Sequence, residues 1–167
     1  MTDAENQEQK IAGDVLERTE RAAGQDQVCL TLTVAGQLCG ISVLGVREIL
    51  AEQPITRIPL APPGIAGSLN LRGRIVTAID LRHRLNLPPP EQGRTCMSVV
   101  TEQAGELYAL LVDQVSEVMR LDPGLLEHNP PTLDRHWALF SDGIYRLDGR
   151  LLVILDVARL LDYAIQA

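Results

Sequence analysis

The stretch GSLNLRGRIVTAIDL at residues 67–81 occurs a second time, in similar form, as GIYRLDGRLLVILDV at residues 143–157. Each copy has an apolar run, a turn that ends in Gly-Arg, a second apolar run and an aspartate. Upstream of these copies, GQLCGISVLGVREI at residues 36–49 resembles GELYALLVDQVSEV at residues 105–118. The offset is 69 residues between the two upstream segments and 76 residues between the two copies that end in aspartate. The order of segments is therefore preserved, and the second repeat has a longer middle loop. This self-similarity predicts a duplicated structural unit.

The apolar pattern inside each unit is that of β-strands. Residues 28–34 alternate between apolar and polar side chains, and two further runs, 65–71 and 75–79, flank the turn residues Arg72 and Gly73. We therefore predict a mainly β fold with two small barrels, residues 28–87 and 94–167, joined by the proline-rich linker that follows Leu87. These boundaries are approximate, because repeats of this kind can exchange terminal strands or helices. Each half is too small to be stable alone, so we expect the halves to pack together.

Short helices are predicted between and after the strands. Asp80 and Asp156 end the two strand pairs, where an N-cap explains them better than catalysis does, and they precede predicted helices over 81–85 and 157–163. Another apolar stripe predicts a short helix after the first hairpin, formed by Val43, Val46, Ile49 and Leu50.

Composition excludes several classes of protein. The 167 residues are 46% apolar with a net charge of −7 and only 3% aromatic residues, which argues against a nucleic-acid binder. Residues 1–26 carry seven acidic side chains and are expected to form a flexible extension; a helix over 11–23 is the alternative. Neither a signal peptide nor a membrane-spanning run is apparent, so we expect a cytoplasmic protein.

The sequence has no pattern of catalytic or metal-binding residues. Cys29, Cys39 and Cys96 lack a C-x-x-C spacing, which favours reduced thiols, and the three histidines share no ligand spacing. Hydrolase, phosphate-loop and zinc-protease motifs do not occur. We therefore predict a protein that is not an enzyme, with no cofactor and no metal.

Arginines concentrate in one part of this acidic chain. Six of them lie between Arg57 and Arg94, and most are expected to be solvated or paired within the chain. Arg72 differs, because it lies in a tight turn between two apolar strands. Such a turn presents the planar guanidinium on a rigid frame, where it can meet a carboxylate.

Residues 56–76, TRIPLAPPGIAGSLNLRGRIV, followed by Asp80-Leu81, resemble the signature of the CheW family, in which an R-[IV]-P stretch leads through G-x-x-N-L-R-G into I-V and D-L. The VREI segment at 46–49 and the VDQVSEV segment at 112–118 also match. Thr77 departs from the family, which often has proline there, and Ser68-Leu69 replaces a more common β-branched pair. The resemblance implies two SH3-like barrels with short helices and a C-terminal helix.

The resemblance also implies a function. CheW-like proteins are non-catalytic cytoplasmic adaptors that couple methyl-accepting chemoreceptors to the chemotaxis histidine kinase in arrays at the membrane. They bind the receptor's hairpin tip and the kinase's regulatory domain. By position, the receptor-binding candidates are Val46, Glu48 and Arg72, and the kinase-binding candidates are Gly67 and Gly73.

Two alternatives within the same family stay open. The chain could serve a non-flagellar chemosensory pathway, such as surface motility or biofilm control. A regulatory domain cut from the kinase itself is less favoured, because no phosphoryl-accepting region precedes residue 28.

Overall fold

The computed structural model describes residues 6–11, 27–92 and 95–166. Within these ranges the chain forms ten strands: β1 (Gln27–Val34), β2 (Gln37–Ser42), β3 (Val46–Leu50), β4 (Ile65–Leu71), β5 (Arg74–Asp80), β6 (Met97–Gln103), β7 (Glu106–Val112), β8 (Gln114–Leu121), β9 (Ser141–Leu147) and β10 (Arg150–Leu155). After β1 the helices are α1 (Leu81–Arg84), α2 (Arg135–Phe140) and α3 (Val157–Gln166), with 3-10 turns at Val43–Gly45 and Pro123–Leu125. Residues 6–11 are also helical.

The strands form two five-stranded sheets with the same topology. The first sheet has the order β8-β1-β2-β10-β9 and the second has the order β3-β6-β7-β5-β4. In each sheet a central hairpin pairs on one side with a single antiparallel strand and on the other side with a parallel strand of a second hairpin. Strands β1–β5 therefore correspond one by one to β6–β10, and the duplication in the sequence is also a duplication in structure.

The two repeats exchange their first hairpins. Strands β1 and β2 of the first repeat complete the sheet formed by β8–β10, while β6 and β7 of the second repeat complete the sheet formed by β3–β5. Each sheet thus combines strands from both predicted halves, 28–87 and 94–167. A half of that size buries too little apolar surface by itself, and the exchange makes each sheet depend on both repeats.

A single main core lies across both sheets. Its fully buried members come from strands of each sheet and include Leu32, Ile41, Ile79, Leu110 and Ile144. Smaller apolar clusters lie around Leu152 in the first sheet and around Val76 in the second. Because the main core is shared, the described domain is expected to unfold as one unit.

The predicted helix over Val43–Leu50 is wrong. After one 3-10 turn the chain continues as strand β3, where Ile49 pairs with Val99 of β6. Ile49 belongs to the main core and Leu50 to the small cluster of the second sheet, so successive side chains face opposite sides. A short apolar run fits both a strand and a helix, and pairing with β6 decided between them.

Residues 6–11 form a helical segment that packs against the domain. Ile11 is 4% exposed within the main core, and the Glu8 carboxylate accepts a 2.7 Å hydrogen bond from the Ala51 amide. The buried Ile11 side chain and the Glu8 hydrogen bond attach these residues to the domain. Residues 12–26, and the helix considered over 11–23, lie almost entirely outside the described part of the chain.

The predicted helix caps are confirmed. Asp80 Oδ1 accepts a 3.2 Å hydrogen bond from the His83 amide, and Asp156 Oδ1 accepts one of 3.2 Å from the Arg159 amide. Each carboxylate therefore satisfies a backbone donor at the start of α1 or α3.

Among the described residues, no helix combines the length and apolar character that crossing a membrane requires.

Candidate functional site

The hairpin turn between β4 and β5 presents Arg72 to solvent. Arg72 and Gly73 have φ angles of 51° and 83°, the left-handed pair of a two-residue type I′ turn, and Asn70 Oδ1 accepts a 2.8 Å hydrogen bond from the Gly73 amide. The alanine-glycine turns at 35–36 and 104–105 also have two positive φ angles. The backbone conformation therefore follows from hairpin geometry, and the arginine side chain distinguishes this turn.

Arg72 reaches across the second sheet to Glu48. Strands β4 and β3 are the two edges of that sheet, yet Arg72 Nη2 donates to Glu48 Oε1 on β3. The side chains are 68% and 27% exposed, respectively. The hydrogen bond to Glu48 holds the pKa of Arg72 above its usual value. Because exposed pairs add little to stability, this contact orients the two side chains more than it holds the fold together.

Val46 begins the same strand as Glu48. It is partly buried against the main core and lies opposite Thr101 of β6, and the pairing register shifts between Val46 and Glu48. The structure thus brings two of the receptor-binding candidates, Glu48 and Arg72, into direct contact. It places the third, Val46, two residues along β3.

A shallow depression surrounds the Glu48–Arg72 pair. Its lining alternates charged and apolar side chains: Arg47, Glu48, Leu71, Arg72, Arg74, Val100, Glu102 and Leu107. Arg47 Nε also donates a 2.8 Å hydrogen bond to Glu102 Oε2. Charged groups around apolar side chains match the polar rim and apolar centre of a protein–protein interface.

Gly67 is required by the packing of the chain. Its φ is 152°, and a Cβ atom there would lie 2.2 Å from the Thr56 carbonyl oxygen. Thr56 and Ser68 exchange two backbone hydrogen bonds of 2.8 Å at this point. The second repeat has the same arrangement at Gly143, where a Cβ would lie 2.5 Å from the Glu127 carbonyl oxygen. The fold alone therefore accounts for Gly67.

Gly73 has different surroundings. A Cβ atom there would meet no other described atom within 4 Å, so the turn conformation is the reason for glycine. Gly73 lies at the hairpin tip beside Arg72, where a partner could approach. Binding of the kinase at Gly67 and Gly73 stays a prediction.

Arg82, one of the arginines expected to be solvated or paired within the chain, pairs with Asp113, a partner that the sequence did not indicate. Arg82 Nε and Nη2 donate hydrogen bonds of 3.1 and 2.7 Å to Asp113, and Nη1 donates one of 3.0 Å to the Pro88 carbonyl. Asp113 also accepts a 2.8 Å bond from the Ala35 amide, and the Arg82 side chain is only 11% exposed. This pair lies where the chain crosses from the second sheet to the first. Asp113, a residue of the CheW-like pattern, therefore has a structural role.

Cys29 and Cys39 are buried, Cys96 is half-buried, and the pKa of each of the three thiols is raised. Burial raises the pKa of Cys29 to about 11, and burial followed by the charge of Asp113 raises that of Cys39. The pKa of Cys96 is also raised, chiefly by burial. Since the thiolate is the reactive form, these shifts disfavour nucleophilic chemistry. In the ranges that the structure describes, no three His, Cys, Asp or Glu side chains are placed to hold a metal.

The described two-sheet β domain presents its candidate contacts on an exposed hairpin tip and an edge strand, an arrangement suited to a protein-binding module. More specifically, the model of the CheW-like domain family matches residues 28–164, and the chain belongs to that family.

Individual relatives agree with this assignment. The chain is 31% identical to the chemotaxis protein CheW of Bacillus subtilis over 80% of this chain and 85% of that protein. It is 29% identical to the chemotaxis protein CheW of Klebsiella aerogenes, over 91% and 86% of the two chains. Among solved structures, the scaffolding protein TtCheW from Thermoanaerobacter tengcongensis is similar, with a TM-score of 0.69, 30% identity, and coverage of 78% of this chain and 89% of that one.

Proposed function

We propose that this protein is a non-catalytic adaptor in chemotaxis that couples chemoreceptors to the histidine kinase in signalling arrays. The observation that carries the proposal is membership of the CheW-like family over residues 28–164, nearly the whole of the two-sheet domain. The relatives named above are chemotaxis and scaffolding proteins, which favours chemotaxis over surface motility or biofilm control. As an adaptor, the protein acts by stabilising particular receptor–kinase arrangements, so that ligand-driven shifts reach the kinase.

The receptor-binding surface is formed by Val46, Glu48 and Arg72. Arg72 is largely exposed, and its contact with Glu48 uses one nitrogen of a group that has five N–H donors. The outward donors can bind a carboxylate or carbonyl group on the receptor's hairpin tip. Glu48 holds the guanidinium in place, and Val46 supplies apolar contact at the start of the same strand.

The kinase's regulatory domain binds the β4–β5 hairpin at two places. One is near the start of β4, around Gly67, and the other is the hairpin tip, around Gly73. Two large apolar side chains near this hairpin support the assignment, because Leu60 is fully exposed and Ile75 is 80% exposed. Exposed apolar groups of this size are typical of moderate protein–protein interfaces. The adaptor is cytoplasmic and is recruited to the membrane by the receptors, without inserting into it and without binding nucleic acid.

The proposal is tested by kinase autophosphorylation on membranes that carry receptor and kinase from the same cell. Adding the protein should raise kinase activity and make it respond to attractant. Arg72→Ala should abolish the response, whereas Arg146→Ala, which removes an exposed Arg–Glu pair from the other sheet, should leave it intact. If the folded protein binds neither partner and leaves the rate unchanged, the proposal is wrong.

A further inference from the structure

Gly67, one of the two glycines assigned to kinase binding, is buried beneath the chain itself. A Cβ atom there would lie 2.2 Å from the Thr56 carbonyl oxygen and 2.8 Å from the Cγ2 atom of Ile55. The segment that leads into the loop at residues 57–64 therefore covers this glycine. Because a covered glycine offers a partner little surface, a link between Gly67 and the kinase has to pass through the loop that it supports.

The loop at residues 57–64 is fixed at both ends. At its start Thr56 and Ser68 exchange two backbone hydrogen bonds of 2.8 Å. At its end the Asp80 amide donates a 3.0 Å hydrogen bond to the Gly64 carbonyl oxygen. Three of the eight residues are prolines, whose rings fix φ and leave the backbone few alternatives. The loop therefore presents its side chains on a rigid frame.

Leu60 lies in this loop with a backbone conformation that suits glycine or asparagine. The Ala61 amide donates a 3.3 Å hydrogen bond to the Ile58 carbonyl oxygen and so closes a turn. Pro59 and Leu60 are the central residues of the turn, and Leu60 has a φ of 61°. Since proline excludes a positive φ at the first central position, this is a type II turn, whose second central position favours glycine or asparagine. A leucine there is held at a cost in free energy.

The fold gives the Leu60 side chain nothing in return for this cost. The side chain is fully exposed, so no apolar surface of the described chain covers it. The other non-glycine residues with a positive φ in the described chain have a local reason for it, since three precede a glycine in a hairpin turn and one is an asparagine: Ala35, Arg72, Ala104 and Asn86. Backbone strain and a large exposed apolar group at one position indicate a contact with another protein.

We propose that Leu60 is the apolar anchor that enters a pocket on the kinase's regulatory domain, and that Gly67 is a positioning residue for the loop that carries it. This inference rests on the proposed adaptor function and identifies the side chain that makes the contact. Ile58, in the same turn and 41% exposed, widens the apolar surface. A rigid anchor favours affinity, because little conformational freedom is lost on binding.

The kinase rather than the receptor is the expected partner of Leu60. The loop at residues 57–64 is attached to β4 beside Gly67, a kinase-binding candidate. None of its residues lines the depression around the Glu48–Arg72 pair, which is the proposed receptor surface. Receptor binding and kinase binding should therefore respond separately to a change at Leu60.

The test is Leu60→Asn in the full chain, with the affinity for the full-length kinase measured by isothermal titration calorimetry. The variant should unfold at a higher temperature than the wild type, because asparagine accepts a left-handed backbone. It should nevertheless bind the kinase at least about tenfold more weakly, the loss expected when a leucine side chain is no longer buried in the complex. Leu60→Met keeps a large apolar side chain and should restore most of the affinity.

Ala35→Asn is the matched control. Ala35 has a φ of 51° in an exposed hairpin turn of the first sheet, so asparagine there should also raise the unfolding temperature while kinase affinity stays unchanged. Unchanged kinase affinity in Leu60→Asn would overturn the proposal and leave the adaptor function standing. A wild-type protein that does not bind the kinase would overturn both. Loss of co-sedimentation with receptor-bearing membranes in Leu60→Asn, without loss of kinase affinity, would assign Leu60 to the receptor instead.

A double variant tests the positioning role of Gly67. Gly67→Ala should weaken kinase binding by the wild-type protein but add little to the loss caused by Leu60→Asn, because both changes act on one contact. A general loss of structure would weaken binding equally in both backgrounds, and that result would contradict the positioning role. Should Gly67→Ala fail to fold, Leu60→Asn and its control decide the proposal.

Discussion

The guanidinium of Arg82 and the carboxylate of Asp113 connect elements of both sheets. Arg82 lies on α1, directly after a strand of the second sheet, and Asp113 lies in the crossing to the first sheet. Asp113 also binds the Ala35 amide in the hairpin turn of the first sheet. One carboxylate thus holds together a helix, a crossing and a hairpin that are far apart in sequence.

Removing one partner of this pair should destabilise the domain. We expect Asp113→Ala to lower the free energy of unfolding by about 3 kcal/mol, because it leaves a largely buried guanidinium unpaired. Arg146→Ala, which breaks an exposed pair with Glu127, should change that energy by less than about 1 kcal/mol. Urea denaturation measures both values, and equal losses would show that the Arg82–Asp113 pair has no special structural role.

Exchanging the charges of Glu48 and Arg72 separates their mutual contact from receptor binding. Single substitutions by alanine should change the unfolding energy by less than about 1 kcal/mol, because the pair is exposed. In the double variant Glu48→Arg/Arg72→Glu the two side chains can still pair, but the hairpin tip then presents a carboxylate. We expect co-sedimentation with receptor-bearing membranes to be lost. Restored binding in the double variant would mean that the pairing, and not the arginine, is what the receptor requires.

The two glycines assigned to kinase binding should respond differently to alanine. Gly67→Ala places a methyl group against the Thr56 carbonyl oxygen, so we expect a loss of at least about 2 kcal/mol in unfolding energy. Gly73→Ala meets no steric obstacle and should lose only about 1 kcal/mol through its left-handed backbone. Thermal denaturation distinguishes them. Only the Gly73 variant then gives a clean measurement of kinase affinity, and normal affinity would remove Gly73 from the interface.

The buried thiols predict both slow alkylation and a loss of stability at high pH. At pH 8, iodoacetamide should modify Cys29 and Cys39 far more slowly in the native protein than in urea, since burial disfavours the thiolate. The pKa of Cys29 is raised from 9.0 to about 11 in the folded state. Its contribution to stability is therefore complete below pH 9 and falls as the pH rises towards 11. A Cys29→Ala variant that loses stability as steeply as the wild type over this range would contradict the assignment.

The helical segment at residues 6–11 should contribute to stability through Ile11. Ile11→Ala is expected to lower the unfolding energy by about 2–4 kcal/mol, because the side chain is buried in the main core. Lys10→Ala changes an exposed neighbour and should have almost no effect. Chemical denaturation compares the two variants. If both unfold like the wild type, the segment does not anchor the chain.

Features that depend on neighbouring residues were predictable. The alternation of residues 28–34 identified β1, and the runs on either side of Arg72-Gly73 identified β4 and β5. Asp80 and Asp156 were recognised as caps because a cap and its amide donors are three residues apart. The exposed hairpin tip of the candidate site followed from the same local chemistry. Its contact with Glu48 did not, because Glu48 lies on the opposite edge of the sheet.

The sequence by itself determined the β class, the duplication and the arginine-bearing turn, since each is expressed in spacing along the chain. Only the tertiary structure decided which hairpin completes which sheet, that Val46–Leu50 is a strand, and that Arg82 meets Asp113. The physical reason is that strand pairing and burial join residues far apart in the chain. Local periodicity does not specify which strand pairs with a given edge strand.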